Sequence, residues 1–326
     1  MKMGTKITRL LAVLAALSFV AAACGGDSST DTASEGSGVS GEIFVSGSST
    51  VEPISVRVAQ DFADIEPDVL VDVDGPGTGD GFALFCEGQS DISDASRPIK
   101  EEEAATCADN GITFTEILVG IDGIAVMTNN ANDAVDCVTF ENLYGLIGPE
   151  SGGIDSWDGA NAVLGEGLPA AGLDIFGPGA ESGTYDSFIE IVLEETAEER
   201  DQEATTRTDY NPSADDSQIL NGINSSDTSL GWVGFAFAAN ADVKLLEVDG
   251  GDGCVAPTAE TIASTEYPIS RNLYIYVNNE KAAESPALTA FVEFYLSEGL
   301  DTAVSGAGYV ALTEEAKEEV RSAWAG

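Results

Sequence analysis

The chain has 326 residues, of which 57 are acidic, 13 basic and none histidine, for a formal charge of −44 at pH 7. A surface this negative repels a phosphate backbone and excludes nucleic-acid binding through a basic face. The missing histidine removes the commonest general base and metal ligand, so neither a Ser-His-Asp triad nor a usual zinc site is available. No metal, no cofactor and no enzymatic activity are expected. The acidity reads most simply as solubility in a salty environment.

Residues 1–23 read as a secretory signal: Lys2, Lys6 and Arg9 precede an apolar run from Leu10 to Ala23. That run is too short for a spanning helix, which needs about 20 apolar residues. Ala21-Ala22-Ala23-Cys24 is close to a bacterial lipobox, with Ala21 where Leu or Val is usual, so Cys24 is expected to carry a lipid anchor. Residues 24–40 are Gly, Ser, Thr and acid and form a flexible tether. Three cations and no acid leave with the signal, which takes the formal charge from −44 to −47. The folded part, about 41–326, is large for one domain and comfortable for two.

Glu42 to Val45 is a short strand that ends at Ser46-Gly47. Ile54, Val58, Phe62 and Ile65 then recur at helical spacing behind Pro53, so Ser48-Ser49-Thr50 is expected to cap a helix. Val69, Val71 and Val73 alternate as a second strand, and a glycine-rich turn, Gly75 to Gly81, leads into Phe82-Ala83-Leu84-Phe85. The pattern returns at Leu173–Phe176, the turn Gly177–Thr184, and a helical stripe of Tyr185, Phe188, Ile191 and Val192. Strand, turn and helix in this order predict an α/β fold with parallel pairing, each turn lying beyond the carboxyl end of its strand, where open sheets bind ligands.

Gly120–Val126 and Pro268–Val277 read as long buried strands and as the crossings between two lobes. One lobe would be discontinuous, about 41–120 plus 275–326, and the other about 121–274. Cys86, Cys107, Cys137 and Cys254 read as two disulfides in an exported protein. Three pairings are possible; Cys86–Cys107 with Cys137–Cys254 keeps each bridge within one lobe. Asp249–Gly253 reads as a hairpin turn rather than a calcium loop, which would need a fuller ligand pattern. Leu230–Phe237 reads as a buried strand, Trp157, Trp232 and Trp324 as packing residues, and Glu194–Glu203 as a solvated acidic helix face.

A helix start offers unpaired N–H groups and partial positive charge, and Ser and Thr hydroxyls add donors without bulk. Three such starts converging on one cleft supply most of the donors that a small oxyanion requires. Arg97 follows Ser96 and precedes Pro98 at the end of a strand, a position that suits a cleft cation.

Gly47-Ser48-Ser49-Thr50-Val51-Glu52-Pro53, Asp91 through Ile99, Glu181-Ser182-Gly183-Thr184 and Tyr267 through Arg271 together resemble the periplasmic phosphate-binding proteins of phosphate ABC transporters, in order and spacing, across nearly all of the mature chain. The resemblance implies a two-lobed type II periplasmic-binding fold that closes on one inorganic phosphate and delivers it to membrane permease subunits. Carried over by motif, Thr50, Thr78, Ser182, Gly183 and Thr184 would bind phosphate, with Ser49 and Ser96 inferred from their neighbours. This chain has Arg97 where the best-known branch has an aspartate, and Pro178 where that branch has an arginine. The branch's aspartate accepts the proton of phosphate and so rejects sulfate; here Glu181 is the first replacement and Asp80 the second. The expectation is a monomeric, lipid-anchored phosphate receptor. The alternatives are a receptor for sulfate or molybdate, a sensor or interaction lipoprotein on the same fold, and a phosphatase, which lacks a visible nucleophile–base pair.

Overall fold

In a computed structural model the described residues are 38–180 and 182–325. The expected signal, residues 24–37 of the expected tether with Cys24, and Glu181 therefore lie outside the described residues; the tether's last residues are held by the fold, the Gly38 amide donating to Glu66 at 3.2 Å and Val39 packing on the core. In chain order the strands are β1 (Gly41–Gly47), β2 (Val69–Asp74), β3 (Ile92–Ala95), β4 (Phe114–Thr128), β5 (Cys137–Thr139), β6 (Asp174–Gly177), β7 (Asn211–Pro212), β8 (Ser229–Gly234), β9 (Lys244–Leu245), β10 (Glu247–Asp249), β11 (Cys254–Val255) and β12 (Ser270–Asn278).

Nine strands form one mixed sheet in the order β2-β1-β3-β12-β4-β8-β6-β7, with β9 beside β4. The pairs of β1 with β2 and β3, and of β6 with β7 and β8, are parallel, as alternating strands and helices predict. β12 runs antiparallel to both β3 and β4. β4 extends well beyond its expected span: Phe114–Gly123 pair with β12, and Ile124–Met127 pair with β8. One strand thus carries both halves of the sheet.

The helix Glu52–Ala63 buries Ile54, Val58 and Phe62, the stripe read from the sequence, and Phe62 packs edge-on against Phe291 with ring centroids 5.4 Å apart. It stops before Ile65, whose amide instead closes a turn onto the Phe62 carbonyl. Each fully buried apolar side chain of this size contributes about 1.5–3 kcal/mol. The segment Leu230–Phe237 is a strand only to Gly234; Phe235–Ala238 turns into a helix and leaves Phe237 51% exposed, so the expected strand ends early. The partner strand accounts for this, since β4 offers β8 a pairing edge no further than Ile124 opposite Gly234. Trp157 and Trp232 are fully buried, and Phe188 stacks on Trp232 at 4.8 Å. Asp249 closes the β10–β11 hairpin by accepting the amides of Gly251 and Gly253.

The disulfides are Cys86–Cys107 and Cys137–Cys254, the pairing preferred on sequence. The first joins neighbouring helices, and the second clamps the hairpin onto β5. Scarce cations are committed to carboxylates: Arg97, Arg200, Arg207, Lys244, Arg271, Lys281, Lys317 and Arg321 all sit in ion pairs.

Asp94, near the end of β3, is fully buried. Its Oδ1 accepts from Ser55 Oγ at 3.0 Å, Ser55 also meets Tyr295 Oη at 3.1 Å, and Oδ2 has no hydrogen-bond partner among the described residues. Burial, opposed by the Ser55 bond and assisted by the charge of Glu52, raises the Asp94 carboxyl from 3.8 to about 7. A folded-state value above the unfolded one favours the native state at low pH, and that contribution fades as pH climbs toward 7. Asp94→Asn removes the titration and keeps the acceptor for Ser55. Its stability relative to the native sequence is expected to improve by about 2 kcal/mol between pH 5 and pH 8, measured by urea unfolding. A constant difference over that range would show that Asp94 is ionised in the native fold.

Candidate functional site

The three turns meet at the carboxyl ends of β1, β2 and β6. Gly47 closes the first. Its φ is +152°, and a Cβ there would lie 2.1 Å from the Asp94 carbonyl oxygen. A Cβ on Gly81 would stand 2.4 Å from Gly47 Cα, so the second turn and its helix, Thr78–Cys86, rest directly on the first. The Gly77 amide donates to the Gly47 carbonyl at 2.8 Å, and the Ser48 amide to the Asp94 carbonyl at 2.9 Å. These contacts fix the first two turns and β3 as one backbone cluster.

The first turn does not cap its helix as expected. Val51 occupies the cap position and no side chain bonds there. Ser48 Oγ instead accepts the Thr50 amide at 3.2 Å, so the amide expected to serve a ligand is engaged locally. The hydroxyls of Ser49 and Thr50 turn toward the third turn's helix. Ser49 Oγ donates to Asp186 at 3.2 Å, and Thr50 Oγ1 meets Ser187 Oγ at 3.1 Å. Ser182 does cap its helix, accepting the Thr184 amide at 3.2 Å. A Cβ on Gly183 would lie 3.5 Å from the Ser49 carbonyl and 3.7 Å from Thr50 Cα, so the first and third turns are in contact.

Thr78 and Ser96 form the second cluster: Thr78 Oγ1 meets Ser96 Oγ at 3.0 Å and accepts the Ser96 amide at 3.2 Å. Arg97 follows, its guanidinium held bidentately by Glu103 at 2.8 and 2.9 Å and lying 5.5 Å over the Phe82 ring. The Glu103 bond, against the cost of partial burial, raises the Arg97 pKa. Burial would push Glu103 upward, but Arg97 and the Lys100 amide outweigh it and leave that carboxyl low.

These residues border a cavity of about 520 Å³. Thr78, Asp80, Ser96, Arg97 and Lys100 line it from the second turn and the segment after β3. Glu190, Glu194 and Arg271 line it from the helix beyond the third turn and from β12. The structure thus brings Thr78, Ser96 and Arg97 onto one cavity, and Ser49, Thr50 and Gly183 against one another beside it.

Arg271 joins the two groups and was not singled out as a site residue from sequence. Its Nη2 donates to Thr50 Oγ1 at 2.9 Å and to Ser187 Oγ at 2.7 Å, and its Nη1 to Glu190. Its Nε faces Asp122 Oδ2 at 3.6 Å, because β12 pairs Arg271 with Asp122 on β4. Burial raises the Asp122 carboxyl, and Arg271 opposes that rise. Burial also raises Asp186, with the Ser49 bond opposing. Tyr309 was missed as well; its hydroxyl would stand 3.8 Å from a Gly183 Cβ, and burial, then the Asp122 charge, raise its pKa. One signal could have found Arg271: an arginine and an aspartate on two strands that read as buried must be partnered.

The helix of the third turn is widened into a π turn over Ile189–Leu193. That turn holds Glu190 and is followed by Glu194, so the acidic face expected to be purely solvated reaches the cavity. Such turns are frequent at functional sites. Chemically, the arrangement offers hydroxyls and guanidinium groups to a small anion, with carboxylates able to accept a proton from it.

Comparison with known proteins agrees with this architecture. A PBP superfamily domain matches residues 32–299. Protein SphX of Synechocystis sp. is 40% identical over 278 residues, covering 84% of this chain and 79% of that one. Phosphate-binding protein PstS of Staphylococcus saprophyticus is 33% identical over 308 residues, covering 94% and 90%. The crystal structure of a possible phosphate binding protein from Planctomyces limnophilus aligns with a TM-score of 0.80 at 36% identity, covering 88% of this chain and 98% of that one. Extended similarity of this kind, over a sheet whose strand ends gather three hydroxyl-bearing turns beside a cavity lined by paired cations and carboxylates, means that the chain belongs to the PBP superfamily and shares the two-lobed periplasmic-binding fold of its SphX and PstS relatives.

Proposed function

We propose that the chain is a receptor that captures inorganic phosphate outside the cytoplasmic membrane and delivers it to an ABC importer. The observation that carries this is the cavity where Thr78, Ser96 and Arg97 face Arg271, which itself bonds to Thr50. The hydroxyls of Thr78 and Ser96 with two guanidinium groups suit a tetrahedral oxyanion better than any neutral ligand. The phosphate-binding relative supports the choice of anion. Ser49, Thr50, Thr78, Ser96, Arg97, Ser182, Gly183 and Thr184 are assigned to the ligand, with Arg271 added. Glu181 or Asp80 takes the ligand proton.

Binding without bond breaking is the whole activity in this account. The lobes, about 41–120 plus 275–326 and 121–274, close around the ligand. The division is supported by β4, which pairs with β12 over one stretch and with β8 over the next. The receptor acts as a monomer tethered through a lipid on Cys24, with a flexible leash that ends where Gly38 and Val39 meet the fold.

Charge-assisted hydrogen bonds contribute roughly 1.5–3 kcal/mol each, so a handful supports micromolar binding, about −8 kcal/mol, after association costs. Titration calorimetry of the soluble form beginning after Cys24, with phosphate and then sulfate, tests this. Phosphate is expected to bind at micromolar affinity or tighter. Arg271→Ala is expected to weaken it about a hundredfold and to lower the melting temperature by leaving Asp122 buried without its cation, and Arg97→Ala to weaken it about tenfold with a retained melting temperature. The absence of heat and of any thermal shift with either anion would leave the fold without this function. Sulfate bound as tightly as phosphate would identify a general oxyanion receptor.

The long-range field of so acidic a protein opposes an approaching anion, whereas the local donors attract it within a Debye length of about 8 Å at physiological salt. Added salt is therefore expected to speed phosphate association or leave it unchanged in stopped-flow traces. A steep slowing would show that attraction, not repulsion, governs entry.

A further inference from the structure

Arg271 has a partner on every edge of its guanidinium, and those partners differ in how firmly they are held. Thr50 and Ser187, which take Nη2, and Asp122, which faces Nε, are buried within the fold. Glu190, which takes Nη1, is 47% exposed, lines the cavity and makes no other hydrogen bond among the described residues. Arg97 differs, because its partner Glu103 is also tied to the Lys100 amide and the helix start. The edge of Arg271 that faces the cavity is therefore covered by a carboxylate that can leave.

We propose that Glu190 is a built-in counter-ion for Arg271, displaced by the incoming oxyanion, and that it thereby sets the affinity of the site. The inference rests on the phosphate-receptor reading. A carboxylate on the guanidinium imitates one edge of the ligand and keeps a buried cation paired before capture. Each binding event then exchanges one anion for another, and the net gain is smaller than the ligand's own contacts with Arg271. The π turn at Ile189–Leu193 presents Glu190 to the cavity, and Glu194, four residues on, lines the same cavity with no bond to Arg271. Glu194 is therefore an internal control for general charge repulsion.

The test is phosphate and sulfate titration of the full chain, its Glu190→Gln variant and its Glu194→Gln variant at one ionic strength. Glu190 is half-exposed, and unchanged melting would show the fold retained. Glu190→Gln is expected to tighten phosphate about tenfold and sulfate by a similar factor, and Glu194→Gln to change either by no more than about threefold. Phosphate binding that is unchanged in Glu190→Gln, or equal gains in both variants, would overturn the proposal. Weakened phosphate with strengthened sulfate would also overturn it, making Glu190 the acceptor of the ligand proton. Uptake by the native chain without a gain in Glu190→Gln sinks this inference alone. No uptake by either protein sinks the receptor reading and this inference together.

Discussion

A guanidinium inside a fold needs acids and acceptors around it, and the site is organised by that requirement at Arg271. Removing an ion from water costs several kcal/mol unless geometry restores its partners. β4 supplies Asp122 through its register with β12, the first turn supplies Thr50, and the helix of the third turn supplies Ser187 and Glu190. Elements distant in sequence are held together because each contributes one acceptor to the same cation. Arginine suits this position better than lysine would, since its planar fork directs donors to several partners at once.

The backbone beneath is arranged so that those acceptors cannot drift. Gly47 brings the first turn onto the Asp94 carbonyl, and Gly81 brings the second turn onto Gly47. Both are close approaches that a side chain would block, and both lie within a few residues of hydroxyls facing the site. The hydroxyls of Ser49 and Thr50 are directed to Asp186, Ser187 and Arg271, and the helix behind them starts without a side-chain cap. Local helix stability is given up there in exchange for contacts between the first and third turns.

Much of this was legible in the sequence, because turn chemistry is local. Glycine, serine and threonine after short apolar strands located all three turns, and the alternating and helical periods located the elements on either side. The spacing of the cysteines, weighed against the proposed lobes, favoured the bridges that form. What escaped notice depends on contacts between distant segments. Arg271 lies within a run that reads as a long buried crossing strand, and its importance follows from a register that sets it opposite Asp122. Ser187 lies a turn beyond the Ser-Gly-Thr motif and matters only because Thr50 and Arg271 come to it. Phe237 looked like the end of a strand, since nothing in its neighbours reveals where the pairing edge of β4 runs out.

Most of the cations among the described residues are committed to carboxylates, and with 57 acidic against 13 basic residues most of the acids have no cation to pair with. Their mutual repulsion falls with screening, whereas the paired and partly buried contacts are far less sensitive to it. The surrounding electrolyte is thus a structural component of the molecule, in the way a lipid is for a membrane protein. For such a chain, a fall in ionic strength strengthens the self-repulsion that the fold must withstand.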